Sequence, residues 1–240
     1  PSVSGTSPKI SPACTSGFEP MNVIVFGATG MVGQGVLREC LADEEVTRVL
    51  AVGRNECGVE DPKLDQLLRN DLFGYADVEE QLSGYDACFF CLGVSAAGMG
   101  EEEYARITYE LTLAAAETLT RVNPDMTFIY VSGAGTDSSE SGRAMWARVK
   151  GKTENELLKL PFASAYMFRP AFIQPMHGIK SRTKLYRLLY AIAAPLFPLL
   201  NALFPKYVTT TEQVGRAMLA VAKRGHPDTI VENEAIRELG

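Results

Sequence analysis

The chain is poor in the residues that build metal centres. It has two histidines, His177 and His226, far apart in 240 residues, and no carboxylate pair at metal-ligand spacing. No metal site is expected. Basic runs longer than a few residues are absent. With a net charge of −6 and a pI of about 5.1, the chain lacks the electrostatic footprint of a nucleic-acid binder. The five cysteines, Cys14, Cys40, Cys57, Cys88 and Cys91, are odd in number and irregular in spacing. That argues against a secreted disulfide framework. Cys88 and Cys91 form a CxxC, but within DACFFCLG, which reads as a buried strand. Side chains three apart on a strand face opposite ways, so these thiols should not share a metal. A signal peptide's basic start and apolar centre are missing, which suits a cytoplasmic protein. The most apolar stretch, YRLLYAIAAPLFPLLNALF (186–204), carries Arg187 and Asn201 and is broken by Pro195 and Pro198. A membrane span needs about 20 mostly apolar residues. This stretch is expected to form buried or lid helices, or a contact with an oligomer partner or membrane surface.

What is present is ordinary for a folded domain: 46% hydrophobic and 22% charged residues. Residues 1–20 hold seven Ser/Thr and four Pro without apolar period and read as a disordered leader. Strand-like runs then alternate with amphipathic stretches. NVIVF (22–26), RVLAV (48–52), a weaker run near Leu67–Asn70, DACFFCL (86–92), MTFIYVS (126–132) and SAYMFRP (164–170) read as strands. MVGQGVLRECLA, residues 101–122 and residues 142–159 read as helices. Asn123-Pro124 stops the long one. The alternation predicts an α/β fold, a doubly wound parallel sheet covered on both faces. Residues 21–170 form its core. Residues 171–240 form a small, mostly helical C-terminal substrate or interaction region, ending in a capped amphipathic helix over TTTEQVGRAMLAVAKRG (209–225).

The strongest motif is VIVFGATGMVGQG (23–35). Gly27, Gly30 and Gly33 stand between the first strand and the first helix. Gly27 suits the tight turn, Gly30 lets backbone approach a pyrophosphate, and Gly33 lets helix and strand pack closely. The helix N-terminus then offers free N–H groups to phosphates. Thr29, Met31 and Val32 belong to the same cofactor-binding turn. This is the context of a Rossmann dinucleotide site. At the end of the second strand an acid would bind a ribose 2′-OH, whereas a basic residue accommodates a 2′-phosphate. Here AVGRNE places Arg54 there, with no acid before Glu56. That favours NADP over NAD.

On GATGMVG above all, residues 21–220 resemble the short-chain dehydrogenase/reductase superfamily. Within it the likeness is to atypical, epimerase/dehydratase-type members near the Tat-interacting-protein and NmrA-like groups. The resemblance implies that Asp71 and Leu72 contact adenine. It places CLGVS (91–95), with Leu92 and Gly93, along the cofactor ribose. It makes Ser132, in YVSGAG, a catalytic serine, and sets the Arg169-Pro170 pair of FRPAF near the nicotinamide, with Phe172 beside the substrate. The family's catalytic pair is Tyr-x-x-x-Lys. Its tyrosine exchanges the proton, and its lysine lowers the tyrosine pKa and holds the ribose.

Here the matching stretch is WARVK: Lys150 is kept and Trp146 replaces the tyrosine. An indole N–H only donates and does not exchange a proton near neutral pH. Trp146 is expected in the wall of the substrate pocket, Lys150 on the ribose. Ser132 or His177, in the loop PMHGI, could supply the proton, since histidine titrates in the useful range. Tyr104, Tyr109 and Tyr186 are further donors among which nothing in the sequence selects. Three functions follow as expectations. One is an NADP-dependent oxidoreductase or epimerase acting on a small hydrophobic carbonyl or hydroxyl compound. Another is a non-catalytic NADPH-binding sensor. The third is a membrane-surface protein using 186–204.

Overall fold

A computed structural model describes residues 20–179 and 205–240. The leader up to residue 19, the segment 186–204, Cys14 and Tyr186 lie outside the described residues.

Seven parallel strands form the central sheet, in the order β3-β2-β1-β4-β5-β6-β9. They are β1 (Met21–Phe26), β2 (Val46–Gly53), β3 (Leu64–Leu68), β4 (Ala87–Phe90), β5 (Thr127–Val131), β6 (Ser164–Arg169) and β9 (Ile230–Glu232). A separate two-stranded parallel sheet pairs β7 (Phe172–Gln174) with β8 (Val208–Thr210). The central strands are buried on both faces, as a parallel sheet under helices requires. This is the expected doubly wound architecture.

One face is covered by α1 (Met31–Ala42) and α5 (Thr211–Arg224), through Val36, Leu37, Val214, Ala217 and Met218. The opposite face carries an aromatic layer, in which Phe26 and Phe90 stack at 5.0 Å and Phe90 meets Phe128 at 5.9 Å. Each such ring, fully buried, is worth about 2–3 kcal/mol of hydrophobic stabilisation. Helix α3 (Leu111–Val122) covers this layer through Leu111, Ala115 and Leu119. The long helix expected over 101–122 is continuous but not uniform. α2 (Glu101–Ala105) passes through a π-helical turn, Arg106–Glu110, into α3. Asn123 stops it and uses its side chain on Leu82 O and on the Gly84 and Tyr85 N–H groups.

Two boundaries move. The third strand ends at Leu68 instead of running to Asn70, because the Arg69 guanidinium turns the chain by bonding Asp77 and Gly74 O. The helix expected from residue 142 is α4 (Met145–Leu157). Its predicted first residues are a loop, because the Asp137 carboxylate accepts from Gly142 N at 2.6 Å and from Ser139 N and Oγ. Within the C-terminal part, α5 carries a complete capping box. Thr210 Oγ1 accepts from Gln213 N, and Gln213 accepts from Thr210 N. Residues 230–232 join the central sheet beside β6, followed by α6 (Asn233–Leu239). Three-residue strands such as β7, β8 and β9 are too short to show alternation.

Candidate functional site

A cavity of about 650 Å³ opens at the C-terminal ends of β1, β4, β5 and β6. The strand order reverses there, which is where doubly wound sheets bind ligands. Its floor is the glycine turn. Gly27 has φ +74°, and a Cβ there would sit 2.7 Å from the Leu92 backbone. A Cβ on Gly33 would sit 2.7 Å from the Gly27 carbonyl carbon and 2.9 Å from Ala28 Cα. Gly30 caps α1 in extended conformation without a side-chain hydrogen bond. The first N–H groups of α1 have no intrahelical acceptor, and no acid stands in its first turn. This cradle is sterically open and electropositive, as a pyrophosphate needs.

The wall is one face of α4. Trp146, Lys150 and Glu154 recur every four residues, so their side chains stack along one stripe. Trp146 and Lys150 line the cavity. The Trp146 indole lies over the loop at Gly135, where φ is +85° and a Cβ would come 3.5 Å from the ring. Lys150 Nζ donates to Ser132 O at 2.6 Å and lies 3.5 Å from Val131 O. The ammonium also sits 5.7 Å from the Tyr130 ring centroid. Burial lowers the Lys150 pKa from 10.5 to about 8, against the opposing pull of Glu154. Glu154 is fully buried. It accepts from Ser132 Oγ at 2.5 Å and from Arg169 Nε at 3.0 Å, and forms a second, close contact with Arg169 Nη2. Arg169 also binds Ser138 Oγ at 2.6 Å and Glu232 at 3.3 Å. Its pKa is raised chiefly by the bond to Glu154.

The structure thus brings Gly30, Met31, Val32, Gly93, Ser132, Trp146, Lys150 and Pro170 to one cavity. Tyr104 and Cys91 line it as well. Burial pushes the Cys91 thiol up to about 12. Cys88 and Cys91 pack with opposite faces of the sheet, as the strand reading required, and no metal-ligand group exists among the described residues.

Other expected residues stand elsewhere. Leu72 is core, packed in the aromatic layer, and does not line the cavity. Asp71 turns its carboxylate onto Phe73 N at 2.8 Å. Arg54 is exposed just beyond β2. Thr29 lies in the turn, with its carbonyl accepting from Gln34 at 3.1 Å. Phe172 is 37% exposed, and its neighbours Ala171 and Ile173 line the cavity instead, because successive residues of β7 alternate. His177, at φ +56°, lies outside the cavity lining and pairs with Glu212 on α5 at 2.9 Å. That contact holds the Glu212 carboxyl below its ordinary range. Tyr109 stacks under Lys152 at 4.5 Å. Glu154 was missed as a site residue, and Arg169, expected near the nicotinamide, does not line the cavity but pairs with that buried carboxylate. The signal for Glu154 was its place four residues beyond Lys150.

Residues 27–158 match the family model described as NAD(P)H-binding. The chain is 24% identical over 221 residues to the protein FMP52, mitochondrial, of Meyerozyma guilliermondii, covering 88% of this chain and 91% of that one. It is 26% identical over 155 residues to the rat protein HTATIP2, covering 63% and 62%. Among solved structures, a UDP-N-acetylglucosamine 4-epimerase from Methanobrevibacter ruminantium in complex with UDP-N-acetylmuramic acid superposes with a TM-score of 0.66. The identity is 16%, covering 89% of this chain and 76% of that one. The Bordetella bronchiseptica enzyme WbmF in complex with NAD+ superposes at 0.64, with 15% identity over 92% and 77%. These two likenesses concern the fold.

Proposed function

Because this chain belongs to the NAD(P)H-binding family, we propose that it is an NADP(H)-dependent oxidoreductase acting on a small hydrophobic carbonyl compound or its alcohol. The observation that carries this reading is that the open glycine cradle and the half-buried Lys150 ammonium share one cavity. A volume of about 650 Å³ lies within the range of small-molecule and cofactor sites. The residues fit a dinucleotide. Gly30, Met31 and Val32 would hold the pyrophosphate, Gly93 and Lys150 the ribose, and Pro170 the nicotinamide end. Exposed Arg54 stands where a 2′-phosphate is recognised, which favours NADP over NAD. A reduced nicotinamide bound there supplies a hydride. The apolar wall of Trp146, Ala171 and Ile173 suits a hydrophobic substrate.

One observation favours a second reading, an NADPH-binding sensor without turnover. The family's proton-exchanging tyrosine is replaced by Trp146, and Ser132 gives its hydrogen to Glu154. The membrane-surface reading rests on 186–204, outside the described residues. No helix among the described residues is long and apolar enough to cross a membrane. The FMP52 relative is named mitochondrial, which lends no support to a cytoplasmic location.

The test uses Trp146, the sole tryptophan. NADPH and then NADH are titrated while the indole is excited. Quenching with energy transfer into the reduced nicotinamide, tighter for NADPH and weakened in Arg54→Asp, is the expected result. Binding seen by calorimetry with an unresponsive Trp146 would remove the indole from the site. No binding by either method would remove the oxidoreductase and the sensor together.

A further inference from the structure

We propose that Lys150 itself gives the proton to the substrate oxygen during carbonyl reduction, in the role that a phenol at position 146 cannot fill. The proposal rests on the oxidoreductase reading above and names the acid that reading lacks.

Among the described residues, six lining side chains carry a hydrogen on N, O or S: Cys91, Ser95, Tyr104, Ser132, Trp146 and Lys150. Trp146 does not exchange its proton near neutral pH. Ser132 has one hydroxyl hydrogen, and both its acceptors, Glu154 Oε1 at 2.5 Å and Phe168 O at 3.1 Å, lie away from a substrate. Ser95 accepts from Ala97 N at 3.3 Å, and an aliphatic hydroxyl is too weak an acid alone. Tyr104 meets the cavity with only 1% of its surface exposed. The Cys91 thiol is pushed up to about 12.

Lys150 differs. An ammonium has three N–H donors. Two carbonyl oxygens, Ser132 O and Val131 O, account for two of them. The third is left for the cavity that Nζ lines, to be shared there between the ribose assigned to Lys150 above and the substrate oxygen. Those carbonyls also hold Nζ at the cavity wall. Burial brings Lys150 to about 8, close to working pH, where a general acid is most effective. The groups around it are Glu154 on its own helix, Tyr130 and Ser132 from β5, Tyr104 from α2 and Cys91 after β4. Arg169, from β6, neutralises Glu154 and so limits that carboxylate's upward pull.

A reduced nicotinamide held in the cavity would supply the hydride to the carbonyl carbon. The carbonyl π pair moves onto oxygen. That oxygen takes one proton from Nζ, leaving a neutral amine that solvent reprotonates after the alcohol departs. In the reverse direction the neutral amine takes the alcohol proton.

The test measures NADPH Kd and kcat separately, from pH 6 to 10, with benzaldehyde and hexanal as probes. At saturating NADPH, kcat for reduction should fall about tenfold per pH unit above 8, and kcat for alcohol oxidation should rise through the same value. Lys150→Arg keeps the cation but holds its proton near neutral pH. It should bind NADPH within about tenfold of wild type while kcat drops roughly 10²–10⁴-fold. In Lys150→Ala, added ethylamine should restore part of the loss. If the Ala variant does not fold, Lys150→Arg and the wild-type profile carry the test. A pH limb confined to the NADPH Kd, or a Lys150→Arg variant with unchanged kcat, makes Lys150 only a cofactor ligand and overturns the proposal. Wild-type protein that binds NADPH but reduces neither probe nor a wider carbonyl panel overturns the oxidoreductase reading, and the proton assignment with it.

Discussion

Ser132 Oγ donates to Glu154 Oε1 across 2.5 Å, joining the end of β5 to the buried face of α4. The same carboxylate carries the Arg169 guanidinium from β6. One buried charge therefore fastens three elements that frame the cavity. Glu154→Ala strands Arg169 at 9% exposure. Removing one partner of a buried ion pair costs about 3–5 kcal/mol. Urea denaturation of the variant should show a loss of that size. A loss below about 1 kcal/mol would mean that Arg169 finds full compensation in Glu232 and solvent.

Gly33→Ala should damage the cradle. The added methyl would press on Ala28 Cα and the Gly27 carbonyl, all backbone, so α1 must shift relative to β1. Overpacking of this kind costs about 1–3 kcal/mol. The accompanying loss of NADPH affinity should be at least tenfold by calorimetry, because the phosphate-facing N–H groups move with α1. Unchanged affinity in a destabilised variant would separate the turn from the ligand.

Lys150 makes stability depend on alkaline pH in a definite direction. Its folded pKa is about 8, against an ordinary 10.5. Between those values the unfolded chain holds more protons than the folded one, so unfolding free energy rises with pH. Wild type should therefore gain stability relative to Lys150→Met from pH 8 to 10.5, and the difference should be flat below 8. Paired denaturation curves check this. A difference that stays flat across that window would place the Lys150 pKa at or above its ordinary value.

Much of this was legible in the chain. The glycine turn, the six strands of the core and the capped helix at 211–224 are local patterns, with period and punctuation set by neighbours in sequence. Trp146 and Lys150 were legible because one turn of helix relates them. Glu154 and Arg169 were not legible as partners. Each reads alone as a solvated charge, and only the packing of α4 on β6 sets them together and seals them from water. Phe172 and Leu72 stand outside the cavity lining for a related reason. A one-residue step on a strand moves a side chain to the other face, and a core leucine beside a polar turn looks the same in sequence as a ligand contact. β9 was invisible because three residues cannot display a period.

The contact between Gly35 on α1 and Thr211 at the start of α5, where a Cβ on Gly35 would sit 2.7 Å from the Thr211 carbonyl oxygen, has a consequence for biogenesis. A nascent chain that has left the ribosome through β6 already owns its phosphate turn, Ser132, Lys150 and Glu154. Its α1 is still bare along Val36, Leu37 and Cys40, because Val214, Ala217 and Met218 have not been made. Until they arrive, the helix that follows the glycine turn is braced only by the sheet beneath it. The unfinished chain therefore presents chaperones with an apolar helix face.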